Sequence, residues 1–483
     1  VKKKSLIWVT GIVVAALVIW GWGLFRTVKD VVEAHPELTA ESRDQVFPAP
    51  EHTVYQMNLK LDPVSHELWG YSLVSSTNTT NGDLDEIWLT TYPNAMREQA
   101  ASPAPATAYY SGFDPGYLEI SQAKVNNRPV VYSYQGISTR LQLDTPIYKN
   151  DVFTIEMEWK VKIPRASYRL GGKDGVILLG NFYPQLNVKD ARGWHIPENI
   201  KFGDPFFSQV ADYAVAIQIP EAYQLATSGE IVAIEAEDTG WQRILIRAGQ
   251  VRDFALAAAL HYQTVETYVN GIEVEGFFRG NDPEIDAGVL ERTAAALKYY
   301  GAVYGSYSGS KFVVVQGPMQ GFQGMEYSGM IFLSDEVFKP SFGEERRAFL
   351  VAHEVAHQWW YHMVGNDQLN EPWLDEGLAS WSARQYLKRV ELDVGNKSPG
   401  NSANLGKSLQ EMGNKGHYYD VAYSGGEAFW AQLEEEQGEE KILAILRHYL
   451  AEFKHKTAST EDLRRIIEEE CRSPLDSFFD FWF

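Results

Sequence analysis

Between residues 52 and 267, apolar and polar positions alternate in short runs. VYQMNLKL (54–61), EIWLTTY (86–92), VFTIEMEWKVKI (152–163), YAVAIQI (213–219) and WQRILIRA (241–248) are divided by turn residues, as half-buried strands are. The stretch is expected to be an all-β domain, with SPAPATA (102–108) and residues 193–204 as loops. From about Asn281 the spacing changes to that of helices. DAGVLERTAAALKYYGAVYG (286–305) predicts an amphipathic helix, and KFVVVQ (311–316) and MIFLSD (330–335) predict short strands around a QGMEYSG loop (323–329). A further helix is expected to begin near Gly343, because Phe349, Ala352, Ala356, Trp359, Trp360 and Met363 recur at intervals of three and four. Late helices are expected over 428–453 and 461–470, with a polar loop at 395–406. The order predicts an α+β protein: a β domain at 52–267 and a mixed, largely helical domain at 268–483.

Residues 5–25 (SLIWVTGIVVAALVIWGWGLF) carry no charge. At ~1.5 Å rise per residue they match the ~30 Å hydrocarbon core of a bilayer. The expectation is one transmembrane helix, with residues 1–26 forming a cytoplasmic stub and the anchor. Lys2, Lys3 and Lys4 precede the run, while Arg26 and Lys29 follow with Asp30 and Glu33; this bias orients the rest of the chain outward. Membrane lipid is then one partner, and the expected location is the cell membrane, as a single-pass protein with the domains after the anchor extracellular. A cleaved signal peptide is the competing reading, disfavoured by the length of the run and the lack of a small-residue cleavage site after it. Residues 27–51, charged and holding Pro36, Pro48 and Pro50, read as a spacer.

Hydrophobic residues make up 45% of the chain and aromatics 13%, which excludes a disordered protein. A formal charge of −21 argues against nucleic acid as a partner. With only Cys471, no intramolecular disulfide forms.

The chemistry concentrates in HEVAHQWW, 353–360, and WLDEG, 373–377. One helical turn separates His353 from His357, so both imidazoles can hold one Zn2+ ion, with Glu354 beside them as general base. Glu376 is the candidate third ligand, because 18 residues after His357 allow one helix to end and a second to return alongside. Two histidines and a glutamate leave the fourth position to water, the composition of a catalytic rather than a structural site. Zinc so held lowers the pKa of a bound water towards ~7 and polarises a carbonyl. His362 and His417 read as ordinary surface or loop histidines, Trp359 and Trp360 as packing residues, and Asp375 as a residue that could orient a ligand histidine.

These blocks resemble the aminopeptidase N family of gluzincin zinc metallopeptidases, which includes leukotriene hydrolase. HEVAHQWW with WLDEG is similar to the family's HExxHxW and WLNEG; QGMEYSG is similar to its GxMEN exopeptidase motif; VAYSGGEAFWAQLEEEQG (421–438) is similar to the segment where a tyrosine and a glycine open a late helix. Weaker similarity runs through NFYPQL, GDPFFSQVADY and VRDFALAA. The resemblance implies a saddle-like antiparallel β domain and a thermolysin-like catalytic domain, in a short membrane-anchored form. It assigns Tyr423 to the carbonyl oxygen as a donor, Glu326 to the substrate's α-ammonium, and Gly324, Met325 and Asn181 to substrate contact. Gln323 and Tyr327 depart from the motif, where the family has glycine and asparagine, and the family's large C-terminal domains have no counterpart.

The expected function is a zinc-dependent aminopeptidase acting on peptides with a free N-terminus. A zinc endopeptidase of the same fold and a non-catalytic surface binding protein are the alternatives. The preferred first residue is not legible in the sequence.

Overall fold

A computed structural model describes residues 51–237, 240–392 and 404–483. The anchor expected at 5–25, the spacer at 27–50 and most of the polar loop at 395–406 lie outside the described residues. Among those described, no helix is long and apolar enough to cross a membrane.

The alternating segments are strands. Thr53–Asp62, Glu67–Thr77, Val152–Lys162, Ala211–Pro220 and Trp241–Val251 belong to one eight-stranded sheet. It is antiparallel except for one parallel pair, Thr53–Asp62 beside Ala211–Pro220, so the expected all-antiparallel saddle is mixed at that seam. Leu84–Thr90 joins a second sheet of four strands.

A third sheet explains how the two halves join. Its strands Val176–Leu179 and Leu256–Ala259 are buried at every position. Ile177, Leu179, Leu256 and Ala258 face the core of the β domain, whereas Val176, Leu178, Ala257 and Ala259 pack with Phe277, Val313, Val315, Met330 and Phe332 of the catalytic sheet. Period-two alternation therefore supplies both faces of an apolar seam, and Pro50–Phe483 forms one compact unit. The chain enters the catalytic sheet at Gln263, a few residues before the division expected at 267/268.

That sheet runs Gln263–Val269, Ile272–Phe278, Lys311–Gly317, Met330–Ser334, Gly324–Tyr327. Helix α1 (Pro283–Val303), capped by Asp282, makes the crossover between the parallel strands Ile272–Phe278 and Lys311–Gly317. The expected QGMEYSG loop is instead a strand at the sheet edge, paired Met325 to Phe332 and Tyr327 to Met330. Helix α2 (Glu344–Ala356) and helix α3 (Trp373–Arg389) pack with α1 on the face away from the seam, and α4 (Gly426–Gln437), α5 (Glu439–Phe453) and α6 (Thr460–Cys471) join the same core.

The apolar spacing predicted that α2 would continue to Met363, but it ends at Ala356. The amides of His362, Met363 and Val364 reach back five residues, to the carbonyls of His357, Gln358 and Trp359. The buried guanidinium of Arg252 captures the carbonyls of Tyr361 and His362, at 2.5 and 3.1 Å, together with those of Ser208 and Met363. A β-domain cation thus satisfies the backbone of the segment that follows the helix. Its neighbour Asp253 accepts from Tyr361 Oη and from the Ser328 amide.

Candidate metal centre and substrate cleft

His353 is on the last turn of α2 and His357 caps it. Glu376 sits in the first turn of α3, which runs beside α2. His353 Nε2 and His357 Nε2 are 3.2 Å apart, and Glu376 Oε2 lies 3.2 and 3.4 Å from them. Four-coordinate zinc with bonds of ~2.0–2.1 Å spaces its ligand atoms about 3.3–3.4 Å apart, so this triangle is one face of a zinc tetrahedron. Glu376 Oε2 is buried without a protein hydrogen-bond partner, as an atom reserved for a cation would be. The residues present fit the metal.

The surroundings orient the ligands. His357 Nδ1 donates to the carbonyl of Trp360 at 3.1 Å, leaving Nε2 to coordinate. His353 Nδ1 lies 3.3 Å from Ser380 Oγ. Asp375 orients neither histidine by a hydrogen bond; it accepts from Asn366 Nδ2, Gln368 Nε2 and the Glu376 amide. Glu376 Oε1 accepts from Tyr418 Oη at 2.9 Å and from Tyr423 Oη at 2.5 Å. Those tyrosines are five residues apart at a π-helical segment, Tyr419–Gly425, whose wider turn brings i and i+5 to one side.

Glu354 faces the cleft with Oε2 buried and unpartnered. Burial, with the carboxylates of Glu376 and Asp204, pushes it up to about 8 against the pull of His357; a divalent cation between the ligands would draw it back down. Gly324 is required here, since a Cβ on it would fall 1.9 Å from Glu354 Oε1. The cleft, about 1310 Å³, is lined by Gly324, His353, Glu354, Phe349, Tyr419 and Tyr423 among others.

Alternation along Gly324–Tyr327 sorts the remaining residues. Met325 and Tyr327 point into the seam between the domains. Met325 is therefore no cleft residue, as the resemblance had implied, but is buried with its Sδ 2.9 Å from Arg169 Nη1. Tyr327 is buried with its hydroxyl against Gly180, where a Cβ would lie 1.8 Å away. Glu326 points the opposite way. One carboxylate oxygen of Glu326 lies within 4.8 Å of ligand atoms of His357 and Asp375, and one within 4.8 Å of carboxylate oxygens of Asp204 and Glu376. Burial and the Asp204 carboxylate hold its pKa well above the usual range. Asn181, next to Gly180, is buried in a left-handed conformation (φ 52°) with Oδ1 unpartnered. Gln323 lines the cleft and accepts from Arg346 at 2.9 Å.

Sequence reasoning missed Asp204, Arg169, Tyr418, Ser380 and Gln368. Asp204, in the segment read as a loop, is paired with the buried Arg169. Tyr418 alone carried a signal, as a second tyrosine near Tyr423. His362 is buried, not on the surface, with Nε2 3.1 Å from Ser308 Oγ.

The model of the peptidase family M1 domain matches residues 289–482. The chain is 23% identical over 317 residues to glutamyl aminopeptidase of Rattus norvegicus, covering 60% of this chain and 34% of that one. It is 24% identical over 181 residues to aminopeptidase M1-B of Oryza sativa subsp. japonica, covering 34% of this chain and 21% of the relative. It thus spans about a fifth to a third of the length of these relatives. In fold it is similar to the M1 zinc metallopeptidase of Deinococcus radiodurans, with a TM-score of 0.63 at 15% identity over 90% of this chain and 94% of the other. Motif order, fold and family model agree over residues 289–482, which are similar to the peptidase family M1 domain.

Proposed function

We propose that the chain is an aminopeptidase that removes single residues from peptide N-termini, using one zinc ion held by His353, His357 and Glu376. The observation that carries this reading is the nearness of Glu326 to the metal ligands, within 4.8 Å of His357 and, by a carboxylate oxygen, of Glu376. An α-ammonium paired with Glu326 leaves room for little more than one residue before the metal, since each residue spans ~3.8 Å. The first peptide bond is then the one presented.

When bound, zinc supplies Lewis-acid polarisation of the scissile carbonyl and acidifies water. Glu354 takes the attacking water's proton on its unpartnered Oε2 and returns it to the departing amine nitrogen. Tyr423, whose hydroxyl stays protonated because burial and Glu376 raise its pKa, turns its O–H from Glu376 Oε1 to the carbonyl oxygen as charge develops there. Tyr418 continues to satisfy Glu376 during that exchange. The Deinococcus radiodurans metallopeptidase has been crystallised, as a mutant, with a Tyr-Ser-Ala substrate, which supports peptides as the substrate class here.

The test is to supply short peptides and identify products. Release of single N-terminal residues, lost on chelation and restored by zinc, is expected; internal cleavage would overturn the reading. The uncharged run at 5–25 supports a single-pass membrane location with the catalytic part outside, and protease treatment of intact cells should then remove the catalytic domain. Protection of that domain would contradict it.

A further inference from the structure

Glu326 does not reach its position unaided. Gln368, 2% exposed, directs its single side-chain nitrogen at two carboxylates: Nε2 lies 3.2 Å from Glu326 Oε1 and 2.7 Å from Asp375 Oδ2. Both hydrogens of that amide are thereby used, and its Oε1 is turned away, buried and without a protein partner.

The loop that carries Gln368 is stiff. Asp367 Oδ1 accepts from the amides of Leu369 and Asn370, both at 3.2 Å, and its Oδ2 lies 3.2 Å from His195 Nδ1 on the β domain. Asn366 Nδ2 donates to the Glu371 carbonyl and to Asp375 Oδ1, each at 3.1 Å. Gln368 is thus pinned from both sides, and through it so is Glu326.

We propose that Gln368 is a positioning residue for recognition of the substrate's α-ammonium; this rests on the aminopeptidase reading. Gln368 occupies Oε1 of Glu326 and fixes its rotamer, leaving Oε2, which takes no hydrogen bond among the described residues, for the substrate. The choice of an amide matters. An arginine or lysine there would also hold the carboxylate but would cancel the charge that must attract a cation. A neutral donor orients Glu326 and leaves its carboxyl free to ionise against an incoming ammonium.

The test uses the zinc-loaded full chain and the amino-acid amide it cleaves fastest. Gln368→Met keeps the length and removes the donor. KM should rise about tenfold with kcat within about threefold, because a lost ground-state contact moves KM. In the Glu326→Gln background the same change should add nothing, since its target has gone. Calorimetric binding of that amide to a Glu354→Gln chain should weaken by the same factor on adding Gln368→Met. Gln368→Asn, one methylene too short to bridge both carboxylates, reads the same way if the Met variant does not fold. An unchanged KM, or an equal rise with and without Glu326, would overturn the proposal. Failure of the aminopeptidase reading looks different: the unmodified chain would then cleave free and N-acetylated amides equally well.

Discussion

His353, Glu354 and His357 fall within five consecutive residues at the end of one helix, and Glu376 joins them from the first turn of the next. The group proposed to meet the substrate's amine, a few ångströms away, is assembled differently. Glu326 comes from an edge strand, Gln368 from the loop before α3, and Asp204, locked by Arg169, from the β domain. Helical periodicity brings the first set together, so it forms wherever α2 and α3 form. The second set is complete only once the β domain, which brings Asp204, has docked through the seam of Val176, Leu178 and their partners. On the proposed reading, reaction type is encoded locally and the position of the cut depends on the tertiary structure.

Perturbing the two regions should separate these roles. The largest effect is expected at the metal centre: Glu354→Gln should lower kcat by ~10²–10⁴, with zinc content by metal analysis unchanged, because Glu354 is not a ligand. Tyr423→Phe should lower kcat by ~10²–10³ and also retain zinc, since Tyr418 still donates to Glu376; zinc loss would mean that Tyr423 supports the ligand rather than the reaction. At the proposed amine site beside the ligands, Glu326→Gln should lower kcat/KM for free-amine amides by about 10–100-fold, about 1.4–2.8 kcal/mol, and leave slow cleavage of acetylated ones unaltered.

A change outside both regions should move stability alone. Burial, with His455, Arg252 and Lys454 nearby, lowers His362 to about 3 from its ordinary 6.5. Below pH 6.5 the unfolded chain therefore binds a proton that the folded chain refuses, and stability falls as the pH drops from 6.5 towards 3. At pH 5 the loss from this residue is about 2 kcal/mol. Denaturant titrations should show His362→Asn flattening the decline between pH 7 and 5 by that amount; an unchanged slope would place the acid sensitivity elsewhere.

Most strands were legible because their faces alternate, and the metal ligands because a four-residue spacing on a helix has one geometric meaning. Where the sequence misled, a distant group had intervened. Trp359, Trp360 and Met363 keep helical spacing, yet the helix ends at Ala356, and the carbonyls of Tyr361, His362 and Met363 beyond it turn to Arg252, more than a hundred positions earlier. Gly324–Tyr327 is too short to declare itself a strand until Met330–Ser334 pairs with it, and that pairing turned Met325 from a presumed substrate contact into a core residue. Gln368 and Asp204 carried no local signal, because what each does is defined by a partner, Glu326 or Arg169, on another segment.

The proposed restriction of a general zinc hydrolase site to free N-termini rests on Glu326. It is tested most directly by the ratio of kcat/KM for an amino-acid amide to that for its N-acetylated form, measured in the unmodified chain and in Glu326→Gln. A strong preference for the free amine is expected, collapsing towards unity in the variant. A ratio near one in the unmodified chain, or one that survives the loss of the Glu326 charge, would contradict it.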